Sequence, residues 1–232
     1  MMAKVGGMLV LTLLFVAASG PRAEASFLAY ICNDAACAGG GDVIVTDNAA
    51  GDNNPAAGAI DLSGAIVNGV LVSLDTAVTA PILGSASAPT MQLTYKLTGA
   101  GSGPIWLYMS DTDFTGNTGL LVDFGDTIGG AATGRVWGGN SDNLLDLSHP
   151  LIGVLSGSGA FSVSGNTSLL PAGANPYSLT LGVGINNSVV GAFTSGAISF
   201  TPTAAVPEPA SLVLLGTGLI GIRRWRNRRR NI

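Results

Sequence analysis

Charged side chains are what this chain most lacks. Of its 232 residues 10% are Asp, Glu, Lys or Arg, glutamate occurs only twice, and there are one histidine and two cysteines. A chain so poor in Glu and Lys, with 34 glycines, excludes long solvated helices and favours strands and turns. Its 47% of hydrophobic residues is enough for one substantial core.

The few charges are unevenly distributed. Six of the ten basic residues are arginines within the last ten positions of the chain. Between residues 26 and 206, Lys96 and Arg135 stand against twelve aspartates, which gives this body a net charge of −10. Such a charge disfavours nucleic acid and anionic lipid as partners of the body.

Residues 1–25 have the three parts of a secretory signal peptide. Lys4 precedes an apolar stretch at 5–18, and Ala23 and Ala25 form a small-x-small cleavage site. The apolar run is about 14 residues long, whereas an uncleaved membrane helix needs about 20. We therefore expect export by the general secretion machinery, with cleavage after Ala25.

Export makes the two cysteines interpretable. An oxidising compartment permits a disulfide between Cys32 and Cys37, which would close a short loop near the mature N-terminus. A zinc site would need further ligands, and the one histidine is His149. Neither cysteine directly follows the apolar segment, which argues against a lipoprotein.

The middle of the chain alternates apolar and polar residues with a period of two, as strands do. The cleanest runs are Met91–Leu97 and Tyr177–Ile185. Less regular predicted strands are Val43–Thr46, Val67–Leu74, Ile105–Ser110, Leu120–Phe124, Arg135–Trp137, Phe161–Ser164 and Ala197–Thr201. Clusters of Gly, Pro, Asn and Asp separate them. This pattern predicts one all-β domain over 26–202, an antiparallel, jelly-roll-like β-sandwich, with a barrel as the alternative.

The body offers little for catalysis, and no catalytic residue is predicted. His149 lies between Ser148 and Pro150 and is interpreted as a loop residue, while no serine lies in a G-x-S-x-G turn. A glycosidase needs two carboxylates across a sugar bond, and the sequence singles out no pair among the twelve aspartates.

The aspartates raise calcium as the one candidate cofactor. Oxygen ligands on loops could come from Asp47, Asp52 and Asn53, or from Asp111 and Asp113 at the end of a strand. The simpler interpretation is that these side chains bond the backbone in surface turns.

Three aromatic residues raise sugar binding in the same way. Trp106, Tyr108 and Trp137 could form a platform on which a sugar stacks. Packing in the core is the simpler interpretation for each.

The end of the chain differs chemically from everything before it. A linker at 203–209 ends in the motif Val206, Pro207, Glu208 and Pro209, in which proline prevents continuation of a strand. An apolar stretch at 210–222 would make a helix about 20 Å long, a marginal span of a hydrocarbon core of about 30 Å. Its main anchoring side chains are those of Leu212, Val213, Leu214, Leu215, Leu219 and Ile220.

A basic tail at 223–232 follows this predicted transmembrane helix. Its arginines are Arg223, Arg224, Arg226, Arg228, Arg229 and Arg230. Because such clusters stay on the cytoplasmic side, the motif at 206–209 must face the side to which a signal peptide delivers the body. The two ends of the chain therefore predict the same topology.

This tail resembles the PEP-CTERM sorting domain. The resemblance rests on the motif at 206–209, the apolar stretch from Ser211 to Leu219 and the arginine cluster, in that order. It implies export in a Gram-negative bacterium, a precursor held transiently in the inner membrane, an exosortase as processing partner, and association with exopolysaccharide or biofilm matrix.

We therefore expect a non-enzymatic, exported protein of the cell surface or the extracellular matrix. The alternative is a carbohydrate-binding module, with or without calcium, that binds extracellular polysaccharide. A secreted hydrolase is the third interpretation.

Overall fold

A computed structural model describes residues 26–99, 101, 103–116, 119–138, 142–167, 176–186 and 193–203. Within these ranges the chain forms twelve strands. They are β1 (Leu28–Cys32), β2 (Val43–Thr46), β3 (Ala59–Val67), β4 (Val70–Val78), β5 (Gly84–Ser85), β6 (Ala88–Pro89), β7 (Met91–Thr98), β8 (Ile105–Phe114), β9 (Leu120–Gly138), β10 (Leu155–Asn166), β11 (Tyr177–Asn186) and β12 (Phe193–Pro202). In the part of the chain so described, no helix is long and apolar enough to span a membrane.

Ten of these strands form one antiparallel sheet. Its order is β2-β1-β8-β11-β9-β12-β7-β4-β3, and β10 pairs with β9 outside that path. Strands β5 and β6 form a separate two-stranded ladder.

Strand β9, 19 residues long, joins the two halves of the sheet. Its first half pairs with β12, from Leu120 opposite Pro202 to Thr127 opposite Ser195. Its second half pairs with β11 over residues 131–138, while β10 follows its other edge. The strands β12, β7, β4 and β3 therefore form one group, and β11, β8, β1 and β2 form the other.

The two ends of the sheet meet on the opposite side of the molecule. Strands β1 and β2 contact β3, and the loop after β2 is tied to that strand. The amide of Asn53 donates to the carbonyl of Asp61 at 2.8 Å, and the amide of Asp61 donates to Asp52 Oδ1 at 3.0 Å. The sheet is thereby nearly barrel-shaped, around one core to which both groups of strands contribute.

The predicted fold class, all-β and antiparallel, is confirmed. The connection between the two halves is tighter than in the predicted sandwich, because hydrogen bonds through β9 make them one sheet. The barrel alternative therefore describes the shape more closely.

One predicted strand is wrong in its boundaries. Residues Val67–Leu74 do not form one strand, because Asn68 and Gly69 turn the chain between β3 and β4 with φ of 50° and 80°. Positive φ at two consecutive residues is the mark of a tight hairpin turn, which Asn-Gly favours.

Two further differences concern strand length. The predicted strands Leu120–Phe124 and Arg135–Trp137 are the two ends of β9, which continues through the glycines between them. Strand β1 and most of β3 were not predicted. Strand β1 is short, and in β3 the alternation of apolar and polar residues is broken at Ser63 and Gly64.

Strand β11 is buried on both faces. Leu181 and Val183 join the main core, while Gly182, on the opposite face, lies under the rings of Tyr108 and Trp137. A Cβ at Gly182 would approach Tyr108 Cδ1 to 2.5 Å and Trp137 Cζ3 to 2.8 Å. Glycine is therefore required there for space, to let a second layer of side chains cover the sheet.

We expect Gly182→Ala to destabilise the fold by about 1–3 kcal/mol, since the new methyl group forces the two packed rings to move. Gly153→Ala is the matched control, because a Cβ there meets no atom within 4 Å. Urea unfolding of both variants measures the difference. Equal free energies of unfolding would contradict the proposed crowding.

Candidate functional site

Several predicted functional residues lie outside the described residues. These are the cleavage site at Ala23 and Ala25, the motif at 206–209, the apolar stretch at 210–222 and the arginines of 223–232. The linker at 203–209 is described only at Thr203.

The predicted cysteine pair lies at the end of β1. Cys32 and Cys37 are joined by a disulfide with a Cα–Cα distance of 5.2 Å. The loop that it closes rests on β8, where the hydroxyl of Tyr108 donates to the carbonyl of Ala35 at 2.7 Å. The disulfide loop therefore covers part of the outer face of the sheet.

The three candidate platform residues form one aromatic cluster beside that loop. Trp106 stacks on Tyr108 with ring centroids 6.1 Å apart, and Tyr108 meets Trp137 at 5.7 Å. Tyr108 is 1% and Trp137 5% exposed, so both are packing residues. Burial raises the pKa of Tyr108 above its ordinary value. Of the three, Trp106 alone stays partly exposed.

The predicted oxygen ligands in the loop after β2 mostly accept hydrogen bonds from backbone amides. Asp52 accepts hydrogen bonds from the amides of Asn48, Asn54 and Asp61. Asp47 Oδ2 accepts from the amide of Gly58 at 2.7 Å, while its Oδ1 is buried without a hydrogen-bond partner.

The second predicted pair differs in burial, since Asp111 lies in the interior and Asp113 is half-buried. Asp111 is fully buried, and its carboxylate accepts from Thr79 Oγ1 at 2.7 Å and from the amide of Thr112 at 2.8 Å. Burial raises the pKa of Asp111 to about 7; the bonds from Thr79 and Thr112 oppose the rise, and the charges of Asp113 and Asp47 add to it.

Across the described ranges, no three His, Cys, Asp or Glu side chains are grouped so that they could hold a metal ion. Backbone and threonine donors already occupy the oxygens of Asp52 and Asp111.

His149 lies in an exposed turn. Ser148 Oγ is 2.5 Å from Asp146 Oδ1 and 2.7 Å from His149 Nδ1. The hydroxyl of Ser148 therefore lies within hydrogen-bond distance of both the carboxylate and the imidazole in this turn.

The sequence analysis missed Asp126. This residue is 5% exposed, and its Oδ2 accepts from the hydroxyl of Tyr95 at 2.6 Å, across Gly196. Its Oδ1 is buried without a hydrogen-bond partner, and burial raises its pKa. The signal was present in the alternation of β9, where position 126 follows Val122 and Phe124 in the inward phase.

A shallow depression of about 460 Å³ lies at this position, between β9, β10 and β12. Its lining is Gly125, Asp126, Thr127, Ala160, Phe161, Ser162 and Ser195. It thus combines one aromatic ring, three hydroxyl groups and one carboxyl group, a combination suited to a neutral ligand rich in hydroxyl groups.

The C-terminal tail matches a known family model. Residues 205–230 match the PEP-CTERM protein-sorting motif, so the resemblance seen in the sequence is confirmed. The motif implies that this exported β-protein is an exosortase substrate. The match is confined to the tail and leaves the body unassigned. No curated protein matches the chain.

Solved structures give only distant likenesses. The enzymatically active domain of bacteriophage CBA120 tailspike protein 4 is 12% identical over 56% of this chain and 19% of that one, with a TM-score of 0.28. CtCBM11 is 13% identical over 64% and 89%, with a TM-score of 0.28. The arabinose-bound MgGH51 α-L-arabinofuranosidase is 11% identical over 66% and 24%, with a TM-score of 0.27. At such scores these likenesses carry no argument.

Asp111 should make the stability of the protein fall as the pH rises. Its pKa is about 7 in the fold and 3.8 in the unfolded chain, so the folded state holds an extra proton between these values. Its contribution to stability is fully present below about pH 4 and is lost by about pH 7, a change of up to about 4 kcal/mol.

Asp111→Asn should remove this pH dependence, because an amide stays neutral and can bond both Thr79 and Thr112. Unfolding free energies of wild type and variant between pH 4 and 8 measure the difference. Asp123→Asn, at an exposed position of β9, is the control. Parallel pH curves for wild type and Asp111→Asn would contradict the assignment.

Proposed function

We propose that the chain is a non-enzymatic protein of the cell surface or extracellular matrix, associated with exopolysaccharide or biofilm. The observation that carries the proposal is the PEP-CTERM motif at residues 205–230. The signal-like sequence at 1–25 and the poorly charged β-body agree with it, since both suit a secreted structural protein.

The tail explains how such a protein would be handled. The general secretion machinery delivers the body across the inner membrane, and the short apolar stretch at 210–222 holds the precursor there because the arginines do not cross. The motif at 206–209 then lies on the outer side, within reach of an exosortase. Removal of the tail releases the body to the surface or the medium.

Replacing Pro207, Glu208 and Pro209 by alanine should block this processing. The variant should stay in the membrane fraction with an intact C-terminus, whereas the wild-type protein from its own host should lack Ile232. Intact-mass spectrometry measures both. Pro202→Ala, a proline change outside the motif, is the control. A mature wild-type protein that still ends in Ile232 would refute sorting.

The second candidate function is carbohydrate binding by the body. Two features support it: the half-buried ring of Trp106 and the hydroxyl-lined depression at Asp126 and Phe161. A hydrolase is less well supported, because the depression presents one carboxyl group and glycoside cleavage needs two.

If the body binds carbohydrate, Trp106→Ala should weaken retention of the protein on its polysaccharide about threefold to tenfold. This factor corresponds to the binding free energy of one aromatic contact. Phe193→Ala is the control, since Phe193 is 53% exposed on another strand. Affinity electrophoresis over a polysaccharide panel, with and without chelator, gives the measurement. Loss of retention with chelator would favour calcium dependence, and equal retention of both variants would exclude the Trp106 surface.

A further inference from the structure

The last third of the β-body carries almost no charge. No Asp, Glu, Lys or Arg occurs from residue 147 to residue 203, although the body as a whole has a net charge of −10. Strands β11 and β12 of this segment are paired on both edges. Strand β10 is the member of the segment that lies at an edge.

One edge of β10 is open. Its residues pair with β9 over the whole length, from Leu155 opposite Gly134 to Asn166 opposite Leu121, and no described strand pairs with the other edge. The remaining sheet ends differ, because β2 and β3 contact each other. Open edges usually carry a charged side chain or a proline that prevents pairing, whereas β10 has neither and contains one bulge, at Ser158 and Gly159.

Apolar side chains are left half covered along this edge. Leu155, Phe161 and Val163 face the core and pack against it, yet each stays partly exposed. Phe161 meets Phe124 edge-on at 5.1 Å between ring centroids. An additional strand beside β10 would cover the exposed parts of these side chains and pair the free backbone groups.

We propose that the added strand is β10 of a second copy of this chain, paired antiparallel about a two-fold axis at Val163. In that register Phe161 faces Gly165 of the partner, a large residue opposite a small one, and Ser162 faces Ser164. The pairing is self-complementary, as an isologous dimer requires. Two bodies of net charge −10 repel each other, and β10 is an edge strand that itself carries no charged side chain.

Another exposed surface competes as the dimer contact. Ile66, Leu71, Thr98 and Phe193 lie in one row across β3, β4, β7 and β12, and Ile66 is 69% exposed. This row, here called the apolar row, lies on the outer face of the sheet across four strands, none of which is β10. It provides the matched control.

The test uses the full chain solubilised in detergent. Sedimentation equilibrium of the wild type should give a dimer that dissociates on dilution. Ser162→Lys combined with Ser164→Lys should raise the dissociation constant about tenfold or more, because like charges then face each other on both sides of the axis. Ile66→Lys combined with Thr98→Lys adds the same charge on the apolar row and should leave the constant unchanged.

A wild-type monomer at all concentrations overturns the proposal, and so does a dimer that only the apolar-row variant weakens or that neither variant weakens. Amide hydrogen exchange of the wild type supplies a measurement that needs no variant. Exchange within residues 160–166, which pair with β10 of the partner in this register, should slow as the protein concentration rises, while exchange in β7 stays constant. Exchange in β10 that is independent of concentration also overturns the pairing.

Discussion

The backbone pairing of β9 is the constraint on which the rest of the structure depends. Its 19 residues pair with β12 at one end, with β11 at the other and with β10 along the opposite edge. Because one continuous strand fixes all three registers, it decides which side chains of each partner point inward. A shift of one residue in the pairing of β9 would turn its core-facing side chains to the solvent and its solvent-facing side chains to the core.

The sheet also buries polar side chains together with apolar ones. Asp111 and Asp126 lie inside, where each carboxyl group accepts a hydrogen bond from a hydroxyl group of a distant part of the sheet, Thr79 after β4 or Tyr95 on β7. Burial raises the pKa of both aspartates above the ordinary value of an exposed carboxyl group. The aspartates of this chain therefore do not all lie exposed to solvent.

The C-terminal tail and the β-body differ in how far their chemistry depends on a fold. Sorting depends on a linear tail, in which a motif, an apolar stretch and a basic end act in sequence order, so its chemistry can be recognised without a fold. The described part of the body presents three distinct surface regions: the ring of Trp106, the depression at Asp126 and the edge of β10 that no described strand pairs with.

The sequence by itself determined the all-β class, most of the strands, the turn-forming segments and the identity of the sorting tail, because these depend on local alternation, proline and glycine, and order along the chain. The turn at Asn68 and Gly69 is likewise a local signal, since Asn-Gly favours a tight hairpin. The sequence did not determine the continuity of β9 through its glycines or the burial of both faces of β11. The grouping of Asp126 with Tyr95 and Phe161 was decided only by the tertiary structure. Those residues are 31 and 35 positions from Asp126, and only strand register, which arises from pairing across the whole sheet, brings them together.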